Sequence, residues 1–388
     1  MKFKGYQRPD GRVGIRNHVL ILPTVACANE TCRVMADKLP GAVSFVNQNG
    51  CGEVEISRRI TQRVLAGFAA NPNIYGTLMV GLGCELNQMD EMSALVREKT
   101  NKPLETLLIQ EEGGTINTIR KGTKIIRDML IEASACERES FDLSRLMVAL
   151  ECGGSDSTSG LVANPAVGKT TDILIASGAT AILSETAEIV GAEHLLAVRA
   201  ADPQTKEKIF DIVAKLETSL EAVGENLRSA QPSPGNKKGG LSTIEEKSLG
   251  CIHKGGSSPL MEVLDYACPP TRKGLVFMDT AGYDVLSVTA KVAGGCQLVI
   301  FTTGRGNPVG NPIAPVVKVT ANRDTYIKME DNIDMDLSSG LDGSATIDQL
   351  GQEILEEILR IANGKKTKAE TLGFGFTETV MKRVCDYV

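Results

Sequence analysis

Tryptophan is absent from this 388-residue chain, and aromatic residues make up only 4 % of it. Recognition by stacking sugars or bases on flat rings is therefore poorly served. Histidine is almost as scarce, with His18, His194 and His253 the only three. A histidine-rich metal site is excluded unless another chain supplies ligands. Cysteine is present ten times, but no two are spaced as CxxC, which argues against a zinc ribbon. No apolar run is long enough to cross a bilayer, and the opening MKFKGYQRPDGR lacks the apolar stretch of a secretory signal. Basic charge is in deficit: 42 Lys and Arg against 48 Asp and Glu leave a formal charge of −6, with no stripe for a nucleic-acid groove. These absences point to a cytoplasmic protein with reduced thiols and neither a membrane nor a nucleic-acid partner. A small anionic substrate held by local basic groups stays open.

The chain's 388 residues are enough for two or three domains with full cores, and with 42 % apolar residues the composition is not that of a disordered chain. Short apolar runs alternate with amphipathic stretches. HVLILPTVA (18–26), AVSFVNQ (42–48), YGTLMVGLG (75–83) and ETLLIQ (105–110) predict strands, each followed by a helical pattern. The charged segment 135–145 reads as a linker, after which the alternation restarts with LMVALE (146–151) and TAILSE (180–185). A long helix is expected over 203–229 and a loop over 229–243. Strands are expected at 274–279, 297–303 and 315–320, and a last helix at 344–363, followed by a less regular tail. The fold class expected is α/β, doubly wound and mostly parallel, with two Rossmann-like halves (1–140 and 141–388) sharing a cleft that holds the active site.

Ligands of open parallel sheets bind beyond the carboxyl ends of the strands, and polar residues collect there. ECGGSDSTSG (151–160) combines two glycines that open the backbone with hydroxyls and a helix start suited to an anion. Ser155, Asp156 and Ser157 are candidates from this loop; the bland alternative is an ordinary helix cap. SETAE (184–188) contributes Glu185. Cys51, Cys84, Cys152, Cys251 and Cys296 all lie beside glycine, and Cys51, Cys152 and Cys251 are the candidate ligands for iron or another thiophilic ion. Arg305, between glycines in TTGRGNP, can fork onto a carboxylate. Lys237, Lys247 and Lys254 lie in polar or glycine-rich segments, and a lysine partly withdrawn from water can lose its proton and act as a base. His18 reads as structural and His194 as a surface residue, leaving His253 as the catalytic candidate among the histidines. ANPAVGKT (163–170) mimics a P-loop with alanine for its first glycine, but helical residues already precede it, so a nucleotide site at Lys169 is the lesser reading. A dinucleotide site would need GxGxxG after the first strand, where PTVACANE stands instead.

Several blocks together resemble the altronate/galactarate dehydratase family: GYQRPDGRVGIRN (5–17), GLGCELNQ (81–88), ECGGSDSTSGLVANPAVG (151–168), LSETAEIVGAE (183–193), PSPGNKKGGLSTIEEKSLGCIHKGGSS (232–258) and CQLVIFTTGRGNPVGNPIAPVVKVTAN (296–322). The resemblance implies loss of water from a sugar acid to a 2-keto-3-deoxy acid through an enediolate, with Fe2+ or another divalent metal such as Mn2+ as cofactor. Ser155, Asp156, Asn164, Asn236, Lys237, Glu245, Lys247, Cys251, Lys254, Asp284 and Arg305 stand at matching positions; His253 does not. The expected catalytic set is Lys254, Lys237, Glu185 and Asp156, and the expected substrate-binding set Ser155, Ser157, Asn164, Asn236, Lys247 and Arg305; the resemblance carries over positions, not roles. Fused members of the family begin with a small SAF-type domain carrying histidines, whereas the large subunit of a sulfolactate sulfo-lyase, similar to this family, expels sulfite instead of water. The expectation is an oligomeric enzyme completed by a separate small SAF-domain subunit that supplies histidine.

Overall fold

A computed structural model of the chain describes residues 1–375. Among them the strands run, in order, β1 (Lys2–Gln7), β2 (Val13–Gly14), β3 (His18–Pro23), β4 (Ala42–Ser44), β5 (Ile74–Gly81), β6 (Leu104–Leu108), β7 (Glu139–Asp142), β8 (Met147–Cys152), β9 (Thr180–Ser184), β10 (Leu260–Leu264), β11 (Gly274–Met278), β12 (Leu298–Thr302), β13 (Val316–Thr320) and β14 (Met335–Asp336). A four-stranded sheet has the order β4-β3-β5-β6 and a seven-stranded sheet the order β10-β11-β9-β8-β12-β13-β14. Both are wholly parallel. β9, β11, β12 and β13 are buried at every residue, which is why runs such as LVIFT show no alternation: helices cover both faces. The α/β, parallel, doubly wound architecture is thus the observed one. No helix among the described residues is long and apolar enough to cross a membrane.

Two of the expected elements differ in the structure, at 135–145 and at 203–229, while the P-loop look-alike is helical as expected. The segment 135–145 is not only a linker: β7 pairs antiparallel with β1, Lys2 opposite Asp142, in a small sheet β2-β1-β7. The helix expected over 203–229 stops at Glu221 and resumes briefly at Leu227–Ala230, broken around Gly224 at φ 78°. The mimic of a P-loop is helix: Asn164–Ala176 includes Lys169, whose half-exposed ammonium pairs with Asp348 at 3.0 Å. A Cβ on Gly168 would lie 2.1 Å from the His253 carbonyl, so that glycine lets helix and turn pack together and cradles no phosphate. The tail 376–388 lies outside the described residues.

The two parallel sheets are joined by a buried polar seam. Asn73 Oδ1 accepts from the amides of Ile15 (2.9 Å) and Arg16 (3.2 Å), while its Nδ2 donates to the carbonyls of Gln297 (2.9 Å) and Ile313 (3.0 Å). Asn71 Nδ2 donates to Val292 O (2.8 Å) and Cys296 O (2.9 Å). Side chains of both sheets, among them Leu20, Val276 and Phe301, form one core with Phe68 of the helix Glu55–Ala70. Truncating Asn73 strands several buried backbone groups. Asn73→Ala is therefore expected to lower stability by roughly 3 kcal/mol or more, read as a drop in the urea midpoint. A loss under about 0.5 kcal/mol, the range of an ordinary surface change, would show that the seam does not hold the sheets together.

Candidate active site

β8 delivers Glu151 and Cys152 fully buried to its carboxyl end, where the chain turns through Gly153 and Gly154. A Cβ on Gly153 would fall 2.0 Å from Asp284 Oδ2, so only glycine fits against that carboxyl. The helix Ile244–Ile252, capped by the Thr243 hydroxyl, presents Lys247 and Cys251 one turn apart, and Lys254 follows on the next turn. This i, i+4, i+7 spacing puts all three on one face. Glu188 comes from the turn after β9.

These groups meet out of water. Cys152 Sγ lies 3.0 Å from Glu188 Oε2 and 3.6 Å from Cys251 Sγ. Lys254 Nζ donates to Cys152 Sγ at 2.7 Å and to Glu188 Oε2 at 3.0 Å. Lys247 Nζ sits 3.3 Å from Glu188 Oε1. Beside them Glu151 accepts from the Cys152 amide (2.9 Å) and pairs with Lys291 (2.8 Å). The wholly buried Lys291 also reaches Leu150 O (2.5 Å) and Ser184 Oγ (2.6 Å), tying the ends of β8 and β9 together.

The surroundings push the proton affinities apart. Burial disfavours the Lys254 charge, but Cys152, Glu188 and Cys251 outweigh it and hold the ammonium well above its ordinary pKa. This reverses the expectation of a lysine ready to act as a base. Lys247 is raised likewise, burial being overcome by Glu188 and the two thiols. Glu188 is buried too, yet Lys254 and Lys247 keep it well below the carboxylate range. Burial, reinforced by Glu151 and Glu188, raises Glu185 well above that range, and burial with the same two neighbours lifts Asp284 to about 7. Glu185 is also strained: its φ of 69° is unusual for a residue with a side chain, and its buried Oε1 has no hydrogen-bond partner.

A cleft of about 290 Å³ opens onto the Lys247–Cys251 face and is lined by Ser155, Asp156, Ser157 and Asn164, with exposed His253 at its rim. Ser155 Oγ is buried there without a partner. Asp156 accepts from Thr158 Oγ1 (2.7 Å), from the Ser159 amide (3.1 Å) and from Asn322 Nδ2 (2.9 Å), and so organises the loop. Asn164 donates to Gly250 O (3.0 Å) and accepts from Thr302 Oγ1 (2.7 Å), fixing the cleft wall. The helix Pro234–Lys238 packs on this loop through Ser157 N to Gly239 O (3.1 Å); its Asn236 bonds locally with Ser233, and Lys237 is exposed. Arg305 donates its backbone N–H to Gly154 O (2.8 Å), and its exposed guanidinium has no ion pair among the described residues. Asp156, Lys254 and Arg305 thus flank one loop.

Every group of the buried cluster comes from the C-terminal half of the chain. Cys51 is the correction this requires: it is exposed on the loop after β4, and the third ligand-capable group beside Cys152 and Cys251 is Glu188. These three offer donor atoms within 4.8 Å of one another. Two thiols and a carboxylate suit a thiophilic divalent ion. The 3.6 Å sulfur separation matches the roughly 3.8 Å that two thiolates span at about 2.3 Å from a tetrahedral ion. Sequence reasoning missed Glu188 and Lys291. The first stands three residues after Glu185 in SETAE; the second sits in an apolar helix with no local mark of its role.

Two family models match the chain. "D-galactarate/Altronate dehydratase, C-terminal" covers residues 143–385, and "D-galactarate dehydratase/Altronate hydrolase, second domain" covers 5–134. A (2R)-sulfolactate sulfo-lyase subunit beta from Chromohalobacter salexigens is 38 % identical over 96 % of this chain and 95 % of its own length. An altronate dehydratase from Bacillus subtilis is 33 % identical over 96 % of this chain and 76 % of its own. A galactarate dehydratase (L-threo-forming) from Escherichia coli is 34 % identical over 94 % and 73 %.

The Asp284 environment predicts a pH signature. With its pKa near 7 in the fold and about 3.9 when unfolded, the folded chain retains a proton that the unfolded chain has released between those values. Stability then falls as pH rises through that window. In Asp284→Asn this fall is absent, so the variant gains on the parent between pH 4 and 7, by on the order of 2–3 kcal/mol after screening, and levels off above. Denaturant melts at pH 4, 5.5 and 8 read it; a constant difference across them would refute the assignment.

Proposed function

The chain belongs to the D-galactarate/altronate dehydratase family, and from that membership we propose that it is a lyase that eliminates water from a sugar acid to give a 2-keto-3-deoxy acid. The observation that carries the reading is the separation of proton affinities around one buried cluster: ammonium groups kept charged at Lys254 and Lys247, and carboxyls kept neutral or near neutrality at Glu185 and Asp284. Such divergence within one site assigns acid and base.

In this reading Arg305 and the Ser155 hydroxyl bind the substrate carboxylate, with Ser157 and Asn236 shaping the mouth and Lys237 adding positive charge there. Asp284, titrating near neutrality, removes the proton on the carbon next to the carboxylate. The negative charge that develops on the carboxylate oxygens is met by Lys254, wholly out of water, and by Lys247 at the cleft wall, both already in place. Glu185 gives its proton to the departing hydroxyl; the carbon–oxygen bond breaks, water leaves, and the enol relaxes to the ketone. Asp156 and Asn164 hold the loop and cleft wall. Cys152, Cys251 and Glu188 are the residues that would hold Fe2+ or Mn2+, whose Lewis acidity would add to the charge stabilisation.

A second reading has its own support. The sulfo-lyase subunit is matched along 95 % of its length, against 76 % for the B. subtilis altronate dehydratase. The same enediolate chemistry expels sulfite when a sulfonate occupies the neighbouring carbon. That relative is named as a subunit, and this chain holds three histidines; both favour a small SAF-type partner that contributes histidine.

The decisive assay combines the chain with such a partner under anaerobic ferrous conditions and offers altronate, galactarate and sulfolactate. Formation of a 2-keto acid from one of them is expected, and inactivity with all three would refute both readings. On the active substrate, Glu185→Gln is expected to lower kcat roughly 100-fold or more with little change in KM. An unchanged kcat would remove Glu185 as the acid.

A further inference from the structure

The N-terminal sheet carries chemistry that the proposed reaction does not use. Three cysteines stand at the carboxyl ends of three adjacent strands: Cys27 after β3, Cys51 after β4 and Cys84 after β5. All three are exposed, whereas Cys32, Cys152, Cys251 and Cys296 are buried. Exposure leaves these thiols open to an added ligand and to alkylating reagents.

Their loops are fastened to one another. The Ala26 amide donates to Asn49 O at 2.9 Å, joining the Cys27 loop to the Cys51 loop, and the Leu86 amide donates to Gly50 O at 3.0 Å, joining the Cys51 loop to the Cys84 loop. Two buried carboxylates fix the backbone beside the thiols. Glu53 accepts from the Gly50 amide (2.9 Å) and Thr61 Oγ1 (2.6 Å); Glu85 accepts from the Gly83 amide (2.6 Å), the Leu82 amide (3.1 Å) and Thr24 Oγ1 (2.9 Å). Such outer support is what a ligand set needs to keep its geometry. Asn87, wholly buried in the Cys84 loop, donates to Thr24 O at 3.3 Å but leaves Oδ1 with no donor, an acceptor still unmatched at this end of the sheet.

We propose that Cys27, Cys51 and Cys84 form a three-thiolate site for an iron–sulfur cluster, separate from the Cys152/Glu188/Cys251 group. A single ion is disfavoured, because the three sulfurs do not form a group within 4.8 Å of one another, and thiolates on one ion stand about 4 Å apart. Thiolates on different irons of a cluster stand farther apart, which thiols on three adjacent, mutually hydrogen-bonded loops can satisfy. With three protein ligands, one iron keeps a position for an exogenous ligand.

Loading needs no change of oxidation state. A preformed [4Fe–4S] cluster capped by four 2-mercaptoethanol thiolates exchanges three of them. Three cysteine sulfur–iron bonds form, three mercaptoethanol–iron bonds break, and each departing thiolate takes up the proton its cysteine released. The test adds this synthetic cluster anaerobically to the purified full chain and to its variants. Expected are about four irons and four sulfides per chain with broad visible absorption, lost in each of Cys27→Ala, Cys51→Ala and Cys84→Ala. Both are retained in Cys136→Ala and in the Cys152→Ala/Cys251→Ala double variant. In the unsubstituted chain, loading should protect Cys27, Cys51 and Cys84 together from iodoacetamide, a reading that stands even if a variant fails to fold. No uptake, uptake that survives loss of all three cysteines, or binding of one zinc ion in place of a cluster would each overturn the proposal. None of these readings depends on turnover of a sugar acid.

Discussion

Lys254 sets an ammonium 2.7 Å from the Cys152 sulfur and 3.0 Å from a Glu188 oxygen, with 1 % of its side chain reaching solvent. An unpartnered charge so placed would cost several kcal/mol. Its partners are therefore a condition of the fold as well as of the chemistry. Their demands spread outward. Glu188 needs Lys254 and Lys247 to stay ionised; Glu185, placed nearby without an ion pair, is kept from ionising, and Asp284 ionises only near neutrality. Lys291 pairs with Glu151, whose charge nevertheless helps keep protons on Glu185 and Asp284. One buried cation thus decides which neighbouring acid keeps its proton.

Much of the scaffold could be read from residues alone because its physical cause is local. A parallel strand covered on both faces must be apolar throughout, and GLVFM and LVIFT are. Polar loops at the strand ends, the glycines after Cys152 and the false P-loop were legible for the same reason. ESFD carries no such mark: β7 is half charged and exists because β1, more than a hundred residues earlier, offers an edge. The halting of the 203–221 helix turns on Gly224, which permits a break without announcing one.

At the site, residue identity was easier to foresee than electrostatic sign. Lys254, Cys251 and Cys152 stood out by their glycine neighbours, and Lys254 with Lys247 by spacing. The direction of the Lys254 shift could not be foreseen, because it depends on Glu188 and Cys152 arriving from two other elements. Lys291 in TAKVAG resembles any helix lysine until β8 and β9 converge on its tip. Cys51 was grouped with the wrong thiols for a similar reason. Glycine flanks identify strand-end loops but not which of two sheets those loops belong to.

The pairing of Lys2 with Asp142 also has a meaning in time. On a ribosome adding about 5–20 residues per second, β1 emerges roughly 7–27 seconds ahead of the strand that will cover it. Its outward side chains during that wait are Lys2 and Lys4, with Phe3 turned inward. Charged edge residues of this kind discourage a waiting strand from joining a neighbouring nascent chain. The first residues to be made thus stay soluble until the polypeptide has grown long enough to close upon them.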